Sequence, residues 1–390
     1  MLCPKVPVNM TVPSAAGILH PAQALKSTSA LPATIPEDPS GSLSQDGFDV
    51  YASYQRILEN EDIATPLAAI LALTELIEHS TAGTMFELVK ELHDAAEVLK
   101  NRTTNSISLN AGTELFIAFV TLFPHESDSF ADLKTELVKQ GQKYAAEALT
   151  YRSKISELAL DFIKDDSVIL THSYSRVVMQ TLLRAHKQKR ISVYVTEARP
   201  RGLGVKTYEA LTAAGIPCTM VLDSAVAYVM DMVDFILVGS EAVVESGGLI
   251  NAVGSNQIAI ISKAFKKPFY ALAESYKFHR LFPLSQYDLP THTDDILSFP
   301  RHAQRLSPVL AARPSVAPST SSNPVLPRQL AIRRSESSAS SSQRAMTPEQ
   351  ILRNPKVDYT MPDLISLVFS DVGILTPEGV SQYLVGMFAG

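Results

Sequence analysis

At Ser167 the hydrophobic pattern of this chain changes period. Before it, apolar residues recur every three or four positions. After it come short, continuous apolar runs: SVILT, ISVYVTE, PCTMVLD, DFILVG and PFYALA. Between most of them lie the amphipathic segments SRVVMQTLLRAHKQK, GVKTYEALTAA and SNQIAIISKAFKK. A strand covered on both faces has no polar side, so it reads as an unbroken apolar run. Such runs alternating with amphipathic helices specify βαβ units on a parallel sheet. Right-handed crossovers then make the sheet doubly wound. The expected fold class is α/β, with a helical region first.

The helical region is expected over 46–164. ATPLAAILALTELIEHS and TMFELVKELHDAAEVLK keep one face apolar, and SFADLK through DFIKDD reads as one long helix with Gly141 as its weak point. The sheet domain is expected over 165–298. Residues 1–45 are rich in Pro, Ser, Ala and Thr, which remove or compete for backbone hydrogen bonds, so a disordered tail is expected there. That tail lacks arginine and turns acidic near its end, which makes a transit peptide the weaker alternative. A Ser/Pro/Arg-rich stretch over 299–355 reads as a disordered insertion. Residues 356–390 then rejoin the sheet domain, with a helix expected over Pro362–Phe369.

Charge and cysteine usage narrow the setting. The chain carries 34 basic against 40 acidic residues, a net of -6, which argues against a duplex-coating nucleic-acid binder. Cys3 and Cys218 cannot build a disulfide framework, so a reducing compartment is the default. No apolar run reaches the roughly 18 residues of a membrane helix. A soluble cytoplasmic protein with no direct nucleic-acid or membrane partner is the expectation.

In open α/β sheets, ligands bind beyond the carboxyl ends of the strands. Four such ends are legible. In ILTHSYSR, Thr171 ends a strand, His172 follows it, and a helix starts near Ser175. Its free N–H groups, the Ser173 and Ser175 hydroxyls, Tyr174 and the Arg176 fork would suit a phosphate. Ser175 as a plain N-cap and Arg176 as a surface charge is the competing reading. In VTEARPRGLG, Gly202 and Gly204 open a dinucleotide fingerprint, but Thr207 stands where the third glycine belongs, so a loop is the better reading. In VLDSAVAY, Asp223 is equally an N-cap or a ligand contact. In ILVGSEAVVESGGLINAVGSNQ, Glu241 follows a strand directly, and Gly247, Gly248 and Asn251 come after it. The two glycines permit close backbone approach to a ligand or a tight turn. No metal spacing, GxSxG elbow or Walker motif occurs.

Taken together, ILTHSYSRVV, VYVTEARP, VLDSAVAYVM, VDFILVGSEAVVESGGLINAVGSNQIAIISKA, KPFYALAESYKFHRLFPL and VDYTMPDLISLVFSDVGILTP resemble the regulatory-subunit family (alpha, beta, delta) of eukaryotic translation initiation factor 2B. Within it the alpha type is favoured, since no long basic N-terminal extension is present. That family is similar in fold to methylthioribose-1-phosphate and ribose-1,5-bisphosphate isomerases. The resemblance implies an N-terminal helical bundle followed by a Rossmann-like doubly wound parallel sheet with a sugar-phosphate pocket. It also implies a regulatory, non-catalytic subunit of the guanine-nucleotide exchange factor for initiation factor 2. Such a subunit homodimerises, bridges the beta, gamma, delta and epsilon subunits, and helps sense the phosphorylated alpha subunit of initiation factor 2. Thr84 and Glu87 fall in the segment the resemblance marks for sensing, and T-x-x-E is equally a capping box. Against the isomerase alternative, Ser173 stands where those enzymes carry cysteine, Glu241 where they carry aspartate, and Ala252 follows Asn251 where they carry lysine. No cofactor is required on this reading; a sugar phosphate or nucleotide monophosphate is the expected ligand.

Overall fold

The structure is a computed structural model that describes residues 48–103, 106–124, 129–299 and 346–388. The tail expected over 1–45 and most of the insertion expected over 299–355 lie outside the described residues. From Phe48 onward the described residues form one compact unit.

Six helices come first: α1 (Val50–Leu58), α2 (Thr65–His79), α3 (Met85–Arg102), α4 (Ser106–Leu122), α5 (Phe130–Ala148) and α6 (Tyr151–Leu160). Asp49 caps α1 by accepting from Tyr51 and Ala52 N–H, and Pro66 sits in the first turn of α2, where its missing N–H costs nothing. Tyr54, Ile70, Leu73, Leu88, Leu92, Leu99, Val120 and Leu137 form the core between these helices. Gly141 is a contact point rather than a weak point. A Cβ there would lie 2.6 Å from Thr74 Oγ1, so its absence lets α5 close on α2.

The long helix expected from Phe130 onward is interrupted after Ala148 and resumes at Tyr151. Its apolar period continues, but its two halves serve different cores. Leu133 and Leu137 face the helical core, whereas Ile155 and Ala159 pack beneath the sheet. A straight helix cannot address both.

After α6 the sheet elements follow as β1 (Ser167–His172), α7 (Arg176–His186), β2 (Ile191–Thr196), α8 (Gly204–Ala213), β3 (Cys218–Val221), α9 (Val226–Val229), β4 (Phe235–Val238), β5 (Ala242–Val244), β6 (Leu249–Ala252), α10 (Ser255–Ala264), β7 (Phe269–Leu272), β8 (Phe278–His279), α11 (Pro348–Leu352), β9 (Val357–Thr360), β10 (Leu367–Ser370), β11 (Gly373–Leu375) and α12 (Pro377–Phe388). The main sheet is ordered β11-β10-β7-β4-β1-β2-β3, parallel except for β11. A smaller sheet is ordered β8-β5-β6-β9. Successive residues of the central strands serve opposite faces. Ile169, Phe235 and Leu237 pack with α6 and α7, while Leu170, Ile236 and Val238 pack with α9, α10 and α12. This two-sided burial is why these strands read as unbroken apolar runs.

Two expectations for the C-terminal part are corrected. The helix expected over Pro362–Phe369 is a 3-10 turn at Pro362–Leu364 followed by β10. Val368 and Phe369 enter opposite cores, which requires the period of two of a strand. The last part of the expected insertion, 346–355, contains α11, whose Thr347 and Gln350 form a capping box.

Asp358 ties β9 to the start of α10. Its Oδ2 accepts from Gly254 N at 2.7 Å and Asn256 N at 3.0 Å. Burial nevertheless pushes its carboxyl up to about 7, against the effect of those two bonds. A raised carboxyl favours the fold while protonated, so its contribution is full below about pH 4 and lost as pH rises toward 7. Asp358→Asn keeps an acceptor and removes the charge. Relative to the parent it should gain about 2–4 kcal/mol at pH 8 and little at pH 4.5. Melting curves at both pH values check this, and an equal difference at both would refute the account.

Candidate functional site

Counted along the main sheet, the parallel strands run β3-β2-β1-β4-β7-β10, so the winding direction reverses between β1 and β4. Loops leaving those two strands diverge to opposite faces and open a crevice, the preferred ligand position in such sheets. A cleft of about 1110 Å³ lies there, lined by Ser173–Arg176 after β1 and by Ser240 and Glu241 after β4.

The chain leaves β1 through Ser173, whose φ of 63° turns it out of the strand, and its carbonyl accepts from Thr207 Oγ1 at 2.6 Å. Ser175 occupies the N-cap position of α7, yet its side chain makes no capping hydrogen bond. It stands against Gly239, where a Cβ would lie 2.1 Å from Ser175 Oγ, so glycine is needed for β4 to end this close to α7. Lys206 Nζ lies 4.5 Å above the Tyr174 ring. Arg176 NH1 donates to the carbonyls of Glu61 at 2.6 Å and Ile63 at 2.9 Å. Glu241 Oε2 accepts from Ser108 Oγ at 2.9 Å, and Arg201 NH1 lies 3.8 Å from Oε1. Asn251, in β6, also lines the cleft and donates to Ser255 Oγ.

Other residues singled out in the sequence lie elsewhere. Thr171 and His172 are buried in β1. His172 Nε2 is 3.0 Å from Val253 O, which can only accept, so this nitrogen carries the proton and Nδ1 accepts from the Thr196 hydroxyl at 2.6 Å. Burial presses the imidazole toward its neutral form. Asp223 accepts from Ala198 N and Arg199 N, which orders the loop after β2. Gly247 and Gly248 belong to the β5–β6 turn, against Pro377 and the Tyr359 ring. Thr84 and Glu87 form a capping box at the start of α3, where Glu87 Oε2 also accepts from Gly83 N.

Several of the cleft's polar residues were not among those singled out in the sequence, and Arg152, Ser240, Glu274 and Lys277 form a connected group among them. Glu274 is 1% exposed, and its carboxylate lies 3.2 Å from Arg152 Nε and 2.8 Å from Lys277 Nζ. The second of these is an ion pair outside hydrogen-bond geometry. Burial alone would push this carboxyl up, but Lys277 and Arg152 outweigh it and hold it far below the usual range. Lys277 Nζ also donates to Ser240 O at 3.0 Å. The signal was available: PFYALAESYK places Glu274 just beyond a fifth strand end, β7, by the same rule that picked out the other four.

The arrangement gathers guanidinium and ammonium groups, serine hydroxyls and one buried carboxylate at a switch point. In chemical terms the cations suit an anionic group, and the hydroxyl and carboxylate oxygens suit hydroxyl donors. Among the described residues no group of His, Cys, Asp and Glu could hold a metal ion, and no helix is long and apolar enough to cross a membrane.

Comparison with known proteins adds to this geometry. The model of the Initiation factor 2 subunit family matches residues 59–377. The chain is 38% identical over 354 residues to translation initiation factor eIF2B subunit alpha of Dictyostelium discoideum, covering 90% of this chain and 99% of that protein. It is 29% identical over 231 residues to ribose 1,5-bisphosphate isomerase of Archaeoglobus fulgidus, covering 59% of this chain and 72% of the enzyme. In fold it is similar to a chain of the tetrameric eIF2B-beta2-delta2 complex from Chaetomium thermophilum, with a TM-score of 0.62 at 16% identity over 87% of this chain and 96% of that one.

Proposed function

The chain belongs to the Initiation factor 2 subunit family, and from that premise we propose that it is a regulatory, non-catalytic subunit, of the alpha type, of the guanine-nucleotide exchange factor for translation initiation factor 2. The observation that carries this reading is the near end-to-end likeness to the Dictyostelium alpha subunit, against a partial likeness to the isomerase. The site supports it as well. A serine hydroxyl is a far weaker acid than the thiol the enzymes use, and the Glu241 carboxylate is already engaged by Ser108. On this reading the protein is cytoplasmic, forms a homodimer and bridges the beta, gamma, delta and epsilon subunits. Its cleft holds a sugar phosphate or nucleotide monophosphate without converting it.

The test is a pull-down of the tagged full-length chain from its own cell extract, joined to a turnover assay on phosphorylated pentoses. Co-purifying exchange-factor subunits with no isomerised product are the expected result. Isomerised product without those subunits would replace this reading with the enzyme.

The start of α3 is the proposed sensor of the phosphorylated alpha subunit of initiation factor 2. Lysine at position 87 would lose the acceptor that Gly83 and Thr84 N–H use, so it would confuse cap with contact. Glu87→Gln retains the acceptor and removes only the charge. Inhibition of exchange by the phosphorylated factor should weaken a few-fold in that variant. Unchanged inhibition would take the sensing role away from this residue.

A further inference from the structure

Arg176 belongs to the sheet side of the cleft but spends two hydrogen bonds on the helical side. It is the first residue of α7, and its NH1 reaches the carbonyls of Glu61 and Ile63 in the loop joining α1 to α2. That loop is also held by short internal bonds, Ile63 N to Asn60 O and Asp62 N to Asn60 Oδ1, and at its end by Ile63 and buried Ala64, which pack with Leu67, Tyr151 and Tyr276. Arg152 makes the reverse connection: it sits on α6 and reaches Glu274 at the end of β7. Both guanidinium groups line the same cleft.

Their charges are not balanced there. Arg152, Arg176 and Lys277 face one buried carboxylate, Glu274, which Arg152 and Lys277 already share. Glu61, Asp62 and the half-buried Glu241 also line the cleft, and so do Arg184, Lys187, Arg201 and Lys206, so seven cationic side chains there face four carboxylates. Burial, and then the nearby Arg152 charge, disfavour the charged form of Arg176, although a guanidinium stays protonated. A doubly charged phosphate monoester between the two arginines would offset this excess.

Resting on the reading of the cleft as an anion site, we propose that a phosphate monoester bound there clamps the α1–α2 loop to the sheet, with Arg176 and Arg152 as the two jaws. A guanidinium carries five N–H donors in one plane. An anion that engages the donors not used by the loop fixes that plane, and with it the two N–H groups aimed at Glu61 O and Ile63 O. Opening of the loop must then break the anion contact too. Linkage makes the effect reciprocal: whatever holds residues 59–64 in place strengthens anion binding. Cleft occupancy thereby reaches α1 and α2, which supply Tyr54 and Ile70 to the helical core.

The experiment is hydrogen exchange on the full-length chain with and without ribose 5-phosphate, alongside thermal melting. At a concentration about ten times the Kd, amides within 59–64 should exchange about tenfold more slowly. Arg176→Lys keeps the positive charge and loses the fork, so it should retain part of the thermal shift while exchange at 59–64 no longer responds. Thermal stabilisation of the parent chain with 59–64 unchanged overturns the clamp and leaves the anion site standing. An Arg176→Lys variant in which the ligand still slows exchange there overturns the role of Arg176. Absence of any thermal shift removes the anion site and the clamp together.

Discussion

Glu274→Gln should destabilise the protein by about 3–5 kcal/mol at neutral pH, the usual cost of removing one partner from a buried ion pair. Glutamine has nearly the same shape, so no cavity opens and packing should survive. What is lost is the charge that offsets Arg152 and Lys277, each with a side chain only 13% exposed, in a cleft that also contains Arg176. The melting temperature should fall by roughly 6–10 °C, taking about 2 °C per kcal/mol for a unit of this size. The pH dependence supplies a second test. Glu274 is held far below its ordinary value. A depressed carboxyl stabilises the fold above its unfolded pKa, and that contribution disappears as pH falls through the folded value. The gap between parent and variant should therefore be wide at pH 7 and close steadily below about pH 4. A loss under about 1 kcal/mol, or a gap independent of pH, would mean the pair is not the electrostatic centre of the cleft. Removing the surplus charge as well, in Glu274→Gln with Lys277→Gln, should recover part of the loss, because the two positions are directly coupled.

Glu274 also shows how far a sequence can be read. The strand runs were legible because two-sided burial leaves a local record: every residue of the FILV run in DFILVG is apolar whichever way it faces. The rule that ligands sit beyond strand ends was equally legible, and it located Ser173, Ser175, Arg176, Glu241 and Asn251 on the cleft wall. The same rule extends to β7, since the apolar run PFYALA ends one residue before Glu274, just as SVILT ends before His172 with no glycine or proline to mark it. Partner choice left no such record. Asp223 and Arg176 have the right chemistry for a ligand, yet their hydrogen bonds go to Ala198 and Arg199 N–H and to the carbonyls of Glu61 and Ile63. Those partners are 24 to 115 residues away in the chain, beyond any local pattern. The broken helix at Ala148 has the same origin, since its apolar period is intact and only the tertiary assignment of its halves differs.

Gly204 carries this point to its largest consequence. In the sequence, Gly202 and Gly204 look alike, two glycines of an incomplete phosphate fingerprint. In the fold they are opposites. Gly202 has a φ of 66° with nothing within 4 Å of a Cβ placed there, so alanine would meet only backbone strain. Gly204 begins α8, and its Cβ would fall 1.8 Å from Thr196 O and 2.8 Å from the carbonyl carbon. Neither atom can move aside. Thr196 closes β2, paired in register with His172 of β1, and its hydroxyl is bonded to the His172 ring. The helix would have to lift from the strand end, breaking the Gly204 N–H bond to Glu197 O and the Thr207 bond to Ser173 O. Gly202→Ala should cost about 1 kcal/mol, the ordinary penalty for a side chain in the left-handed region. Gly204→Ala should cost more than about 4 kcal/mol, beyond most single substitutions, and lower the yield of soluble protein sharply. Parallel expression and melting of the two variants checks this. A Gly204→Ala protein that melts within about 2 °C of its parent would show that α8 can shift without cost, and that the close approach does not hold the β1 and β2 ends of the cleft together.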